Sequence, residues 1–217
     1  RVWSDDADQE YTVHFVIEFD QPIKSAGGWT NEEIISSGRI SGKDLKDAGL
    51  FVEFDTLRSN LVQARSGISL VNIANAGENL DTEISDPFGW DFEAVVQNQK
   101  DVWNDYLTRI DISTDNRLEK VRFYTNLYRS FSRNTWSDVN GEWIAADETR
   151  QKFTNPDHVA LGADAFWNTF WNLNQLWNMA FPEWSSKWVN SQLAMYDVNG
   201  WLAKGPAGME YIPVMVA

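Results

Sequence analysis

Carboxylates and indoles are what this sequence offers for chemistry. It carries 32 Asp and Glu against 18 Lys and Arg, only two histidines and no cysteine. Without cysteine, thiol catalysis, thiolate zinc sites, iron–sulfur clusters and disulfide frameworks are excluded together. A Ser-His-Asp triad would have to use His158, which follows Asn155-Pro156-Asp157 in a turn-like segment, and no G-x-S-x-G occurs. His14 falls on the polar side of a strand pattern and reads as a surface residue. Gly205-Pro206-Ala207-Gly208 lacks the Lys-Ser/Thr that completes a phosphate loop, so nucleotide binding has no support.

Metal-ligand spacings are imitated rather than met. Asp138-Val139-Asn140-Gly141-Glu142 starts like a calcium loop but brings its glycine too early and lacks the distal bidentate glutamate. Asp111, Ser113 and Asp115 meet Asn116 where such a loop needs glycine, and they read as a helix-entry cluster. What remains is general acid and base work, and Glu210 draws attention because Gly208-Met209-Glu210-Tyr211 lies in an otherwise apolar segment. Burial there would raise its pKa or force a partner on it. Asp164 and Glu183 stand near helix starts, where a carboxylate satisfies free N–H groups.

Twelve tryptophans in 217 residues are the outlier of the composition, and eight lie between Trp136 and Trp201. Rigid indoles suit a helical core, or a surface on which sugar rings stack. The formal charge of −14 disfavours nucleic acid and anionic membrane partners. No apolar run approaches the roughly 20 residues of a membrane span, and the chain opens on a polar stretch rather than a signal-peptide pattern.

The elements that would hold these residues change character along the chain. Tyr11, Val13, Phe15, Ile17 and Phe19 alternate with mainly polar neighbours, a strand with one buried face. Pro22 and Gly27-Gly28 mark a turn, Leu50 to Asp55 a second strand, and the apolar run Ile68 to Ala74 a strand covered on both faces. Residues 1 to about 75 therefore read as antiparallel sheet. The period then becomes helical: a short helix over Ala76–Ile84, an amphipathic one from Phe92 to about Ile112, and another behind the cap pair Asn116 and Glu119. Asn140-Gly141 predicts a hairpin within Ser132–Ile144, followed by a loop to about Gly162. Ala163 to Phe181 reads as one helix stopped by Pro182, and Trp184 to Asp197 as the next, ending at Asn199-Gly200. The apolar last residues, Tyr211 to Ala217, read as a chain cut inside a larger helical domain.

Several of these segments together resemble a family. Phe123-Tyr124-Thr125-Asn126-Leu127-Tyr128, Trp136-Ser137-Asp138-Val139-Asn140-Gly141, and Gln192-Leu193-Ala194-Met195-Tyr196 leading to Gly200-Trp201-Leu202 are similar to motifs of glycoside hydrolase family 92, the calcium-dependent exo-α-mannosidases. Gly67-Ile68-Ser69-Leu70-Val71 and Ala76-Gly77-Glu78-Asn79-Leu80 resemble the strand and first helix that follow that family's sandwich.

The resemblance implies an α+β multi-domain protein: an antiparallel β-sandwich portion over residues 1–90, a linker helix over 91–114, and the first helices of an incomplete (α/α)6 barrel over 115–217. It implies an inverting mannosidase that removes terminal mannose from mannose-containing glycans, with α-1,2 linkage as the default, and an extracellular or periplasmic location. The family's acid motif of Glu-Gly-Asn-Ala-Trp-Gln type and base motif of Asp-Asp-x-Gly-Gln type occur nowhere in the 217 residues. Both, and the ligands of an expected Ca2+, are therefore expected beyond Ala217, leaving this stretch inactive by itself. Trp167, Asn168 and Glu210 would line the sugar pocket. Where the family has Trp-Asp-Thr-x-Arg, this chain has Trp167-Asn168-Thr169-Phe170-Trp171, which exchanges a charged acceptor for an amide and loses a charge-assisted donor. Gly208-Met209-Glu210-Tyr211 likewise departs from Gly-Asn-Glu-Thr, and another mannosidic linkage or a modified mannoside fits these changes. A second class stays open on composition alone: a non-catalytic, Trp-rich carbohydrate-binding or interaction domain.

Overall fold

The computed structural model describes residues 11–31, 33–36, 39–41, 47–57, 59–131, 133–163, 166–200 and 202. The chain divides into two compact units, residues 17–66 and the remainder.

The strands come first in the chain. β1 (His14–Phe19) pairs with β5 (Ala64–Ser69), and β2 (Ser25–Thr30) lies between β3 (Glu33–Ile35) and β4 (Ala48–Glu53) in an antiparallel sheet. Gly27 and Gly28 are not a turn; they are buried in β2. Neither has room for a side chain, since a Cβ on Gly27 would meet the Phe51 ring at 2.6 Å and one on Gly28 the Ile40 Cδ1 at 2.0 Å. Glycine here answers a close approach rather than a bend. The alternation along β1 is as expected but its faces are inverted. Val13, Phe15 and Ile17 are exposed, while His14 and Glu18 are half-buried. Arg65 draws Glu18 inward through an ion pair at 2.7 Å, and His14 borders a cavity.

The expected strand over Ile68–Ala74 stops at Ser69. Asn72 caps a helix instead, its side chain accepting the Asn75 N–H at 2.8 Å, and α1 (Ile73–Leu80) begins. A π-helical turn over Asp81–Ser85 and the short α2 (Asp86–Phe88) prolong it to Gly89, at φ +57°. Pro87 has no N–H to give, and the wider winding lets Asp86 donate to the Asp81 carbonyl. α3 (Phe92–Thr108) ends earlier than the apolar pattern suggests, where the Thr108 hydroxyl donates back to the Asn104 carbonyl at 2.6 Å. Asn116 caps α4 (Arg117–Arg129), accepting from the N–H groups of Leu118 and Glu119; Glu119 turns away to take a hydrogen bond from Thr114 instead of closing a reciprocal box.

Asn140-Gly141 does form a turn, but the hairpin lies one loop later: β6 (Glu142–Ile144) pairs with β7 (Arg150–Lys152). A type I′ turn needs positive φ at both central residues. Here Gly141 has it and Asn140 does not. The single helix expected over Ala163–Phe181 is a 3-10 segment, Phe166–Trp171, followed after a break at Asn172 by α5 (Leu173–Ala180). Phe181 ends α5 and Pro182 opens α6 (Pro182–Asn199), its lack of an N–H falling where a helix has no use for one. Gly200, left-handed at φ +73°, closes α6 with its N–H on the Tyr196 carbonyl. Among the described residues no helix is long and apolar enough to cross a membrane.

The helices gather around rings. Trp177, Phe181, Leu161 and Met195 are fully buried, with Phe131, Trp143 and Trp188 beside them. Phe181 stands edge-on to Phe131 at 4.6 Å, and Trp177 edge-on to Trp184 and Trp188 at about 6 Å, the geometry favoured by ring quadrupoles. For these indoles the core reading holds, whereas Phe170, Trp171 and Met179 remain largely exposed.

Gly67 measures how tightly β5 meets α1, because a Cβ there would lie 2.2 Å from the Ala76 carbonyl oxygen. Backbone cannot yield as a side chain can. Gly67→Ala is expected to lower stability by about 1–3 kcal/mol, read as a reduced denaturant midpoint with unchanged m-value.

Candidate functional site

The end of β5, one face of α1 and the turn before β6 converge on two carboxylates. Asn75 and Asn79 stand four apart on α1 and so share a face. Asn75 Nδ2 donates to Asp138 Oδ2 at 2.7 Å and to Glu142 Oε2 at 2.9 Å. Asn79 Nδ2 donates to Asp138 Oδ1 and to the Ile68 carbonyl, both at 2.8 Å, while its Oδ1 accepts the Val139 N–H. Ser69 adds its hydroxyl to Asp138 Oδ2 at 2.7 Å. Arg150 pairs with Glu142, and Lys152 stands 3.7 Å away. Outside this buried set, Asn140 Nδ2 reaches Glu78 at 3.0 Å.

This arrangement resembles a glycosidase pair only in its closeness. Asp138 and Glu142 are 6% and 8% exposed, and their oxygens are occupied by donors from the protein itself. Glu142 is held below the usual carboxylate range, first by the Asn75 amide and then by Arg150 and Lys152, against the opposing effect of burial. A carboxylate kept ionised in this way is a poor general acid. The cluster is a clasp, since it ties α1 to the segment carrying β6 through side chains that cannot be left unpaired once buried.

Calcium fits no better here. Among the described residues no three His, Asp or Glu side chains come together as a metal site would need, and the oxygens of Asp138 already face amide and hydroxyl donors.

The residues singled out from the sequence are not brought together by the described part of the structure. Trp167 and Asn168 lie on the 3-10 segment, Asn168 exposed and the side chain of Trp167 outside what is described. Glu210 lies outside the described residues, as do Asp164 and the Gly205–Gly208 stretch. His158 borders an open cleft of about 610 Å³ together with Ser137, Lys152 and Phe153. Its Nε2 is 3.2 Å from Asn155 Nδ2, a local loop contact. The clasp is not legible as one motif: Gly67–Leu80 and Trp136–Gly141 look like separate motifs in sequence, and the Asn and Asp side chains they carry are the available signal.

Comparison with known proteins settles the family. The model of the glycosyl hydrolase family 92 N-terminal domain matches residues 1–69, and that of the family 92 catalytic domain matches residues 75–217. The chain belongs to glycoside hydrolase family 92. No curated protein sequence matches it. Among solved structures, the family 92 fold is shared with the α-mannosidase BT3965 of Bacteroides thetaiotaomicron at TM-score 0.73 and 18% identity, covering 92% of this chain and 27% of that one. The inverting mannosidase BT2199 of Bacteroides thetaiotaomicron VPI-5482 matches at TM-score 0.74 and 20% identity over 93% and 27%. The family 92 glycosyl hydrolase ccman5 matches at 0.72 and 22% over 86% and 24%. This chain thus spans about a quarter of the length of these family 92 structures, and the clasp falls where the two family domains meet in sequence, Ser69 closing one match and Asn75 opening the other.

Asn75→Ala removes the donor that Asp138 and Glu142 share, and it is expected to cost about 2–4 kcal/mol of unfolding free energy. Glu142 titrates lower folded than unfolded. Its contribution is therefore present above the ordinary glutamate pKa of about 4.3, and it is lost as pH falls through the lower native value. Wild type should lose more stability than Glu142→Gln between pH 5 and pH 3, as measured by denaturant titration at each pH.

Proposed function

We propose that the protein to which this chain contributes is an exo-acting glycosidase that removes terminal mannose from α-mannosides with inversion. The observation that carries this reading is the match of both family 92 domains, end to end, along one chain. The fold it shares with two enzymes described as mannosidases supports it, one of them also solved in complex with mannoimidazole. In this reading residues 1–90 belong to the β-sandwich, 91–114 to the linker helix, and 115–217 to the first helices of an (α/α)6 barrel, whose further helices lie outside this chain.

Inversion requires an acid to protonate the leaving oxygen and a base to activate water on the opposite face. Neither family motif occurs among the 217 residues, so both groups are assigned beyond Ala217. The calcium ligands are assigned there as well. What this chain would contribute is sugar recognition by Trp167, Asn168 and Glu210. Asn168, where the family has Asp, offers a terminal mannose an amide donor and a neutral acceptor, a change that another mannosidic linkage or a modified mannoside would fit, with α-1,2 as the default. The extracellular or periplasmic location is proposed on family grounds.

The test is mannose release from α-1,2-, α-1,3-, α-1,4- and α-1,6-mannobiosides by the whole protein and by this chain alone, with and without a chelator. Release by the whole protein, abolished by chelation and absent from the 217-residue chain, is the expected result. Turnover by the chain alone would overturn the placement of the acid and base, and silence on every linkage would overturn the mannosidase reading. In the whole protein Asn168→Ala is expected to raise KM about tenfold, the loss of one hydrogen bond of about 1.4 kcal/mol.

A further inference from the structure

Two loops in the larger unit have the same hydrogen-bond construction, and at the left-handed position one has glycine and the other glutamate. In the first, Gly141 N–H donates to the Asp138 carbonyl at 2.8 Å, Asp138 N–H to the Glu142 carbonyl at 2.8 Å, and Glu142 N–H to Asn140 Oδ1 at 3.0 Å. In the second, which joins β6 to β7, Glu148 N–H donates to the Ala145 carbonyl at 2.9 Å, Ala145 N–H to the Thr149 carbonyl at 2.9 Å, and Thr149 N–H to Asp147 Oδ1 at 3.0 Å. Each is a turn followed by a left-handed residue, the position that glycine ordinarily takes. Gly141 takes it at φ +82°, with a neighbouring carbonyl 2.9 Å from where a Cβ would stand. Glu148 takes it at φ +66°.

A left-handed glutamate is a strained choice where glycine would serve at no steric cost, and such strain gathers at binding sites. The residue that makes this choice lines a half-open cavity of about 320 Å³, bordered also by Tyr11, Thr12, His14 and Trp136. Ligand pockets begin at about 300 Å³, so one sugar ring fits and an oligosaccharide does not. Trp136 is braced against Trp143, ring to ring at 6.0 Å, and the loop behind Glu148 is fixed by Asp147, which accepts both the N–H and the hydroxyl of Thr149. Rings to stack on, next to an imidazole, a hydroxyl and a carboxylate that can share hydroxyl hydrogens, form a wall suited to a neutral polyol. The Glu148 carboxylate and the net charge of −14 oppose an anion.

We propose that the cavity bordered by Tyr11, His14, Trp136 and Glu148 is a binding site for a single neutral pyranoside, held by ring stacking and by hydrogen bonds to Glu148 and His14. The inference takes its ligand class from the glycosidase reading and rests on it to that extent. The binding geometry itself comes from the loop and the cavity.

This chain has two histidines, one bordering the cavity and the other bordering a different cleft, which gives a site-resolved measurement. Titration with methyl α-D-mannopyranoside should shift the ring-proton resonances of His14 saturably and leave those of His158 in place, assigned with His14→Gln. In Glu148→Gly the apparent Kd should rise at least tenfold while Tm stays level or rises, because the strain is relieved as the ligand is lost. A merely structural Glu148 would leave the titration unchanged, and that result overturns the proposal. So does a silent His14, or one that responds to tetramethylammonium and not to the sugar, which would make the site a cation cage. Mannose release by the whole protein together with a silent His14 rejects this site alone; absence of both rejects the glycosidase reading as well.

Discussion

A buried carboxylate must find donors, and in this chain that requirement fixes where the first helix lies against the segment that follows α4. Asp138 is nearly inaccessible and is met by three neutral donors, from Ser69, Asn75 and Asn79. None of the three is mobile in the way a lysine would be: Ser69 ends a strand and the two asparagines ride on one helix face. Satisfying Asp138 therefore sets both the rotation of α1 and its position along its own axis. Moving α1 by one residue would turn Asn75 and Asn79 away together, leaving charge without compensation in a place where water cannot help. Gly67 completes the constraint from the other side, since only a residue without a side chain lets β5 approach the Ala76 carbonyl closely enough for Ser69 to reach.

The aromatic core works under a looser rule. Its rings meet edge-on, tilted or stacked at 4.6–6.3 Å, and each contact tolerates a range of angles that a hydrogen bond would not. Burial of large rings thus supplies cohesion for α3 to α6 without dictating one register. Direction is added at the periphery, where Arg109 lies over the rings of Tyr106 and Phe181 and pairs with Glu183 at the start of α6. That glutamate also raises the already high pKa of the guanidinium. The charge keeps its pairing at any physiological pH.

How much of this was legible in the sequence depends on the range of the interaction responsible. The Asn116 cap, the Gly200 terminus and the amphipathic run from Phe92 are local, and their signals lie within a few residues of their effects. Gly27-Gly28 misled because glycine signals two things, a bend or a close approach, and only the ring of Phe51, some two dozen positions on, tells them apart. The strand end at Ser69 was hidden for the same reason. Leu70 to Ala74 is apolar enough to continue a strand, and the competing capture of Asn75 by Asp138 and Glu142 comes from more than sixty positions away. The family could be recognised because its motifs are short and local. Trp167, Asn168 and Glu210 are not brought together, since Glu210 and the side chain of Trp167 lie outside what the structure describes.

The two matching loops show how one backbone geometry can serve opposite needs. At Gly141 the left-handed position faces the Phe153 carbonyl, so even a residue that tolerated the dihedral would collide. Packing alone accounts for glycine there. At Glu148 the side chain is exposed and the loop is held by Asp147 through bonds that do not involve the Glu148 side chain. Nothing in folding therefore asks for glutamate at that position, and backbone strain argues against it. The same hydrogen-bond frame that holds glycine in one loop makes the glutamate of the other conspicuous. A residue that folding disfavours and packing does not require points to a role in the cavity that it lines beside His14 and Trp136.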